Sequence, residues 1–356
     1  MCCIDAGPTI SDNIITRNQA WYGGGIYCLR AQPVLTRNRI LQNWAKHDFG
    51  MWSGWTNGPG VYCDTGSNAV IRANFIAGNR GSNGGGIYAM CSSPIIENNT
   101  ITLDTAIDFG GGIFCQHSQA TIRGNVVMLN HVLGYMGGFG GGIACDSFSG
   151  TLDSNIVAGN SIGPYDNTSG GGGLHFRLSN TIMRNNTVTG NVVPFGLGLG
   201  LDIDTSTLQI INTIIWGDNC PGGEISTDII PFLSVAFSDV EGGWSGVNNF
   251  DADPLFCPED SYRLQVNSPC IGAGQNGGDV GAGGIGCYLC GDINGDGAIN
   301  VGDAVYIVNY LFRSGPPPAS PETSDLNCNG TLNIGDAVYI VAYIFKSGPA
   351  PCADCP

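Results

Sequence analysis

The stretch Gly23-Gly24-Gly25-Ile26-Tyr27-Cys28 returns, varied, down most of the chain. Its copies are Gly58-Pro59-Gly60-Val61-Tyr62-Cys63, Gly84-Gly85-Gly86-Ile87-Tyr88, Gly110-Gly111-Gly112-Ile113-Phe114-Cys115, Gly140-Gly141-Gly142-Ile143-Ala144-Cys145 and Gly171-Gly172-Gly173-Leu174-His175-Phe176, with a worn copy at Gly198-Leu199-Gly200-Leu201-Asp202-Ile203. Each is followed by an apolar residue, two further positions, an asparagine, one position and another apolar residue, as in Leu35, Asn38 and Ile40. The asparagine recurs at Asn13, Asn38, Asn74, Asn99, Asn125, Asn155, Asn186 and Asn212, at successive spacings of 25, 36, 25, 26, 30, 31 and 26. A base period of about 25 residues marks a stacked array.

Composition narrows the array to β structure. The 356 residues include 57 glycines, and each glycine inside a helix costs roughly 1 kcal/mol against alanine. Formal charge is -16 and lysine occurs only at Lys46 and Lys346, so the basic footprint that nucleic acid or an anionic membrane needs is missing, and cations are the fitting ionic partners. No apolar run is long enough to span a bilayer. Cys3 to Pro8 aligns with Cys28 to Pro33, so Met1 opens partway through a coil, and a leader and earlier coils are expected before it. Fifteen cysteines suit an oxidising compartment, although several sit in the repeat as small apolar groups.

Short β-branched runs such as Ala69-Val70-Ile71 and Thr121-Ile122, set between Gly and Asn, predict strands with tight turns. Three per coil would stack strand on strand at about 4.8 Å per coil. Alternation puts Ile26 and Cys28 inward, with Tyr27 and Leu29 outward. The inward column of Cys3, Cys28, Cys63, Cys115 and Cys145, continued by Phe176 and Ile203, reads as a stacked apolar ladder rather than a row of disulfides or a metal column. The recurring asparagine is expected at an inward bend, its amide bonded to its own backbone and to the asparagine one coil away. Over residues 1–219 the chain resembles the right-handed parallel β-helix proteins, a superfold shared by pectate lyases, polygalacturonases and adhesins. The resemblance implies an architecture and leaves the activity open.

The outward column is Tyr27, Tyr62, Tyr88, Phe114, Ala144, His175 and Asp202. Its aromatic part could stack sugar rings or a neighbouring protein, and strand propensity with lateral packing accounts for it equally well. Insertions before several glycine triplets, carrying Phe49, Trp52, Trp55, Tyr135, Phe139 and Tyr165, would line one edge of the strip. The best catalytic set is Asp146, His175, Arg177, Asp202 and Asp204. Paired carboxylates could serve acid and base roles in glycoside cleavage, and an arginine beside them could serve lyase chemistry. Against this, the Gly-His-Gly and Arg-Ile-Lys signatures of such enzymes are absent. His47, His117 and His131 have no triad or metal spacing and read as ordinary loop or surface residues.

Residues 220–286 break the period, through Asp251-Ala252-Asp253-Pro254 and Ser268-Pro269-Cys270, and read as irregular closing coils with Cys257 bridging to Cys270 or Cys220. Residues 287–356 carry the strongest motif. Asp292, Asn294, Asp296, Asn300 and Asp303 stand at positions 1, 3, 5, 9 and 12 of a loop with Gly297 at position 6 and the Ala298 carbonyl at position 7. This is calcium-loop spacing. Asp325, Asn327, Asn329, Thr331, Asn333 and Asp336 repeat it, and an amphipathic helix should follow each loop, over 304–312 and 337–345.

The duplicated loop and helix resemble a type I dockerin. That resemblance implies two calcium ions and docking onto a cohesin module. Loop positions 10 and 11, often polar in dockerins, are Val301-Gly302 and Ile334-Gly335 here, which suits packing onto an apolar protein surface, on another molecule or on this chain's own β-helix. Cys287 and Cys290 precede the module and Cys352 and Cys355 follow it, a set that could form disulfides or, less fittingly, bind zinc, and Cys328 is left as the odd thiol. The sequence therefore reads as a secreted or cell-surface assembly subunit that docks onto a cohesin-like module or another copy of itself, including head-to-tail association into fibres. The alternatives are a dockerin-bearing polysaccharide lyase or glycoside hydrolase, and a non-catalytic polysaccharide binder that uses Tyr27, Tyr62, Tyr88, Phe114, Trp52 and Trp55.

Overall fold

Most bends of the coiled region pair a residue of left-handed backbone with an amide side chain directly after it. Arg37 (φ 53°), Ala73 (φ 52°), Asn98 (φ 54°), Ser154 (φ 54°) and Asn185 (φ 53°) precede Asn38, Asn74, Asn99, Asn155 and Asn186. Such a backbone costs an L-residue roughly 1–2 kcal/mol, so something at each bend must offset it. In the computed structural model, which describes residues 1–46, 56–135, 137–164, 169–194, 200–218, 223–227, 232–257, 262–287, 290–295, 298–318, 324–346 and 348–351, that group is the buried amide. The backbone N and Nδ2 of Asn38 both donate to Asn74 Oδ1, at 2.9 and 3.0 Å, and Nδ2 also donates to Ile10 O at 2.8 Å. The pattern repeats through Asn74, Asn99, Asn125 and Asn155 to Asn186.

The last expected rung is corrected. Asn212 is the left-handed residue itself (φ 51°) and its amide turns to Asn185 Oδ1, while Thr213 takes the rung by accepting from Asn186 N at 3.4 Å. Ser238 and Asn249 follow it. A second ladder, five residues after the first, is absent from the sequence reading. It runs Asn18, Asn43, Asn79, Asp104, Asn130, Asn160, Asn191 and Asp218.

Between these bends lie short strands in three parallel sheets of nine. The first runs from Cys2–Ile4 to Ile225–Thr227, the second from Thr9–Ser11 to Phe232–Ala236, and the third from Ile14–Thr16 to Asp239–Val240. Pairing is in register, so like stacks on like inside: Ile87, Ile113 and Ile143 in one column, Ile96, Ile122 and Leu152 in another, Ile101, Val127 and Val157 in a third. All are buried in one continuous core. The glycine triplets let backbones meet directly: Gly85 N donates to Gly110 O at 3.0 Å, and a Cβ on Gly85 would fall 2.2 Å from Gly111 O. Cys3, Cys28, Cys63, Cys115 and Cys145 are buried thiols in the inward column, as the stacked apolar ladder requires. Burial pushes the Cys115 thiol up to about 12.

The segment 272–282 returns to the same unit, where Gln275 N donates to Asn212 Oδ1 (2.7 Å) and Ala282 N to Thr187 Oγ1 (3.0 Å). A second compact unit comprises residues 254–271 and 283–356. In it Leu264–Gln265 pairs with Ile285–Cys287, and two helices, α1 (Val301–Arg313) and α2 (Ile334–Lys346), pack around Ile293, Ala304, Ile307, Leu326, Ala337 and Ile340. The helices start three residues earlier than the pattern predicts, because Asn300 and Asp303 form a capping box inside the loop itself. Cys270 keeps a buried thiol, so the expected bridge from Cys257 to Cys270 is not formed. The rival partner Cys220 lies outside the described residues, as do His47, Phe49, Trp52, Trp55, Tyr165, Asp296, Gly297, Cys352 and Cys355.

The ladder makes a quantitative prediction. Asn155→Ala should leave Asn125 N and Ile122 O without their side-chain partner, while Asn125 Nδ2 keeps the Ile96 and Arg123 carbonyls, and at about 1–3 kcal/mol per orphaned buried group the unfolding free energy should fall by about 2 kcal/mol or more. Asn13→Ala, on an exposed rung, should cost about 0.5 kcal/mol. Equal losses in denaturant titrations of the two variants would remove the ladder from its place in the fold.

Candidate functional site

The outward column of the first sheet is built by the register that builds the core. Tyr27, Tyr62, Tyr88, Phe114, Ala144, His175 and Asp202 are consecutive partners across the sheet. Their rings close on one another: centroids are 5.5 Å apart for Tyr27 and Tyr62, 4.9 Å for Tyr62 and Tyr88, and 5.1 Å for Tyr88 and Phe114. A flanking row continues the stack, with Phe109 on Phe114 at 5.2 Å, Phe139 on Phe109 at 5.6 Å and His175 on Phe139 at 4.6 Å. Phe109 and Phe139 stand immediately before the glycine triplets, a position whose recurrence was visible in the sequence but not used.

The strip is therefore mostly interior. Tyr62, Tyr88 and Phe114 are 4%, 2% and 3% exposed, and only Tyr27 is half-buried. The phenols turn to polar groups beside the strip, Tyr27 to Asp64 Oδ2 (2.7 Å) and Tyr88 to Gln116 Oε1 (2.6 Å). Burial pushes the phenol of Tyr88 well above its ordinary range, and burial together with the Asp64 hydrogen bond does the same to Tyr27. Rings held in this way contribute packing first, and Tyr27 is the one with an edge left for a ligand.

The five candidate catalytic residues come together at the far end of the column. Asp146, Arg177 and Asp204 are register partners, and His175 pairs with Asp202. His175 Nδ1 lies 2.8 Å from Asp202 Oδ2, a contact that fixes the imidazole orientation. Arg177 Nη2 donates to Asp146 Oδ2 at 2.8 Å, and Gln116 Nε2 reaches the same oxygen at 3.3 Å. Burial pulls the Asp146 carboxyl upward, but the Arg177 guanidinium outweighs it and holds the group below its usual range. Asp204 accepts from Thr205 Oγ1 at 2.7 Å and adds to the field on Arg177. Four of the five residues are thus committed to each other in two pairs, and His175 is only 4% exposed. Elsewhere His131 is bonded to Ser161 Oγ at 2.9 Å, and burial lowers its pKa.

The second unit holds two loops that repeat each other bond for bond. Ile293 N donates to Asp303 Oδ1 at 2.7 Å as Leu326 N does to Asp336 Oδ1 at 3.0 Å, and Asn300 N and Asn333 N each donate to the second oxygen of the same aspartate at 2.9 Å. Gly302 N and Gly335 N donate to Asn300 and Asn333 Oδ1, both at 2.7 Å. Asp303 and Asp336 are fully buried at loop position 12, and Asp292 is nearly so. Carboxylate, amide and carbonyl oxygens curled by their own backbone suit a hard cation, so Asp292, Asn294, Ala298, Asn300 and Asp303 could hold calcium in one loop and Asp325, Asn327, Asn329, Thr331, Asn333 and Asp336 in the other. Among the described residues no three His, Cys, Asp or Glu side chains form a metal cluster.

Between α1 and α2 lies an apolar groove of about 410 Å³, lined in equivalent pairs by Val301 and Ile334, Val305 and Val338, and Val308 and Val341. Val305 is 52% exposed and Val338 61%. No described helix is long and apolar enough to cross a membrane.

Two family models match the chain. Residues 5–178 match the right handed beta helix region, and residues 290–345 match the dockerin type I domain. No curated protein and no solved structure matches.

If the aromatic column is packing before it is a platform, Phe114→Ala should lower the unfolding free energy by about 3–5 kcal/mol, as truncation of a buried phenylalanine does. An unfolding midpoint unchanged from wild type would instead mark Phe114 as a surface held for a ligand.

Proposed function

Because this chain joins a right-handed parallel β-helix to a C-terminal type I dockerin domain, we propose that it is an extracellular or cell-surface assembly subunit, attached through calcium-loaded dockerin loops to a cohesin-type module. Type I dockerin domains bind calcium and dock onto cohesin modules, and a β-helix of this kind suits association with polysaccharide. The observation that carries the reading is the groove between α1 and α2, where Val301, Val305, Ile334 and Val338 stand exposed. A continuous exposed apolar surface of this kind marks a place where a protein packs.

Each loop takes one ion in this reading, two in all. Bound calcium would neutralise the clustered carboxylates of Asp292 and Asp303 in one loop, and of Asp325 and Asp336 in the other. Asp303 and Asp336 would then tie the cation to the first turn of the helix that carries the groove. A polysaccharide-cleaving activity is the second reading. It is favoured by the convergence of Asp146, His175, Arg177, Asp202 and Asp204, and weakened by their mutual pairing.

In light scattering of the full chain mixed with a cohesin module, calcium should produce a larger species and a chelator should dissolve it. Val305→Asp combined with Val338→Asp should weaken the complex at least tenfold, because two desolvated apolar contacts are replaced by charges. A larger species that forms without added cohesin would redirect the reading to self-association. No larger species in either case, together with glycan turnover lost in Asp202→Asn, would replace docking with enzymology.

A further inference from the structure

Two rungs of the second ladder are not amides. In every asparagine rung of that ladder after the first, Nδ2 donates to the carbonyl of the residue three positions before the preceding rung. The bonds run from Asn43 to Ile15 at 2.9 Å, and from Asn79 to Ile40, Asn130 to Ile101, Asn160 to Val127 and Asn191 to Val157, each at 3.0 Å. By the same count the carbonyls due a donor from Asp104 and Asp218 are those of Ile76 and Val188. An ionised carboxylate has nothing to donate there. Both oxygens are buried and without a hydrogen-bond partner. The rest of the Asp104 rung is intact: Oδ1 accepts from Asn79 N at 2.6 Å and Asn79 Nδ2 at 2.9 Å, and Asp104 N donates to Asn130 Oδ1 at 3.0 Å. Gly86 backs directly onto it, since a Cβ there would fall 2.8 Å from Oδ2.

We propose that Asp104 is carried as a neutral acid whose Oδ2–H donates to the Ile76 carbonyl, which makes this mid-solenoid rung a pH-sensitive catch that weakens as the medium turns alkaline. The groups packed around it are Asn79 from the preceding coil, Asn130 from the next, and the Gly86 and Ile101 positions, none of which titrates. No described charge acts on the carboxyl, and burial alone pushes it up to about 8 against the hydrogen bonds from Asn79. Asp218 is the less isolated case. Its N donates to Glu224 Oε1 at 3.2 Å and Glu241 lies beside the two, so burial raises both carboxyls, Asp218 raises Glu224 further, and the side-chain hydrogen bond from Glu224 draws Asp218 back down.

The folded form binds the Asp104 proton more firmly than the unfolded chain does. The stabilising contribution is therefore complete below the ordinary carboxyl value of 3.8 and is lost as pH rises towards about 8. Within that window each pH unit weakens the folding equilibrium by up to about tenfold.

The test compares thermal unfolding of the full chain and of Asp104→Asn at pH 5 and pH 9, at fixed calcium. Asparagine stands at the other internal rungs and supplies the missing N–H, so the variant should fold, should lose part of the midpoint drop between pH 5 and pH 9, and should exceed wild type most at pH 9. A difference infrared spectrum at pH 6 should show one protonated-carboxyl band present in wild type and missing from Asp104→Asn. Parallel pH dependence in the two proteins, a variant less stable at both pH values, or an unchanged carboxyl band would each overturn the proposal.

Discussion

The left-handed bend and the amide that satisfies it set the geometry of the coiled unit. The two ladders are five residues apart, and three strand residues and one left-handed residue separate a rung of the first from a rung of the second. Asn13, then Ile14–Thr16, then Arg17 at φ 56°, then Asn18 is one such module. Strand length in the third sheet is thus fixed by the distance between bends, and the middle residue has to face inward. Ile15, Ile40, Ile76, Ile101, Val127, Val157, Val188 and Ile215 all occupy that place and are buried. A substitution that slipped one strand by a residue would break two ladders as well as invert a face, so register is specified more firmly here than by hydrophobic pattern alone.

The same stacking decides what the outer face can do. In-register pairing turns any residue repeated at one position into a column spaced like the strands, and a column of aromatic rings at that spacing packs against itself. Tyr62, Tyr88 and Phe114 lose their exposure for that reason. Where the column changes character, at Ala144, His175 and Asp202, polar side chains become neighbours and His175 pairs with Asp202. Chemistry on such a face has to come from a break in the repeat, and the Asp146, His175, Arg177, Asp202 and Asp204 group is such a break.

Much of this was legible in the chain. The glycine hexapeptide and the asparagine spacing mark the coils and the inward columns, because a stacked array repeats its constraints in order. The second ladder escaped notice because Asp104 and Asp218 interrupt a plain run of asparagines, and because it reads as an offset echo of the first. Asn212 misled for a local reason: the bend there needs a left-handed residue and then a rung, and asparagine can serve as either. Thr213 does the second task with a hydroxyl. Exposure of the aromatic column was not readable, since alternation reports direction and says nothing of the flanking row of Phe109 and Phe139. The two loops were readable as a repeat, because oxygen-bearing residues recur at the same places in each, and the dockerin type I match covers both.

The helical unit reaches its surface by a different route. Its two halves repeat at 33 residues, so that Tyr306 OH bonds Pro317 O and Tyr339 OH bonds Ala350 O, both at 3.2 Å, and Gly315 N and Gly348 N reach Asn309 O and Ala342 O, both at 3.0 Å. A duplicated half buries one set of apolar residues against its twin and brings a second set together where the two halves meet. Ile307 and Ile340 belong to the first set, Val305 and Val338 to the second. Scattered exposed valines are ordinary on any protein, but duplication makes these contiguous and paired. The coiled unit spends its repeat on its own ladders and core, whereas the helical unit leaves the product of its repeat open, which is why the apolar groove rather than the aromatic column carries the case for a protein partner.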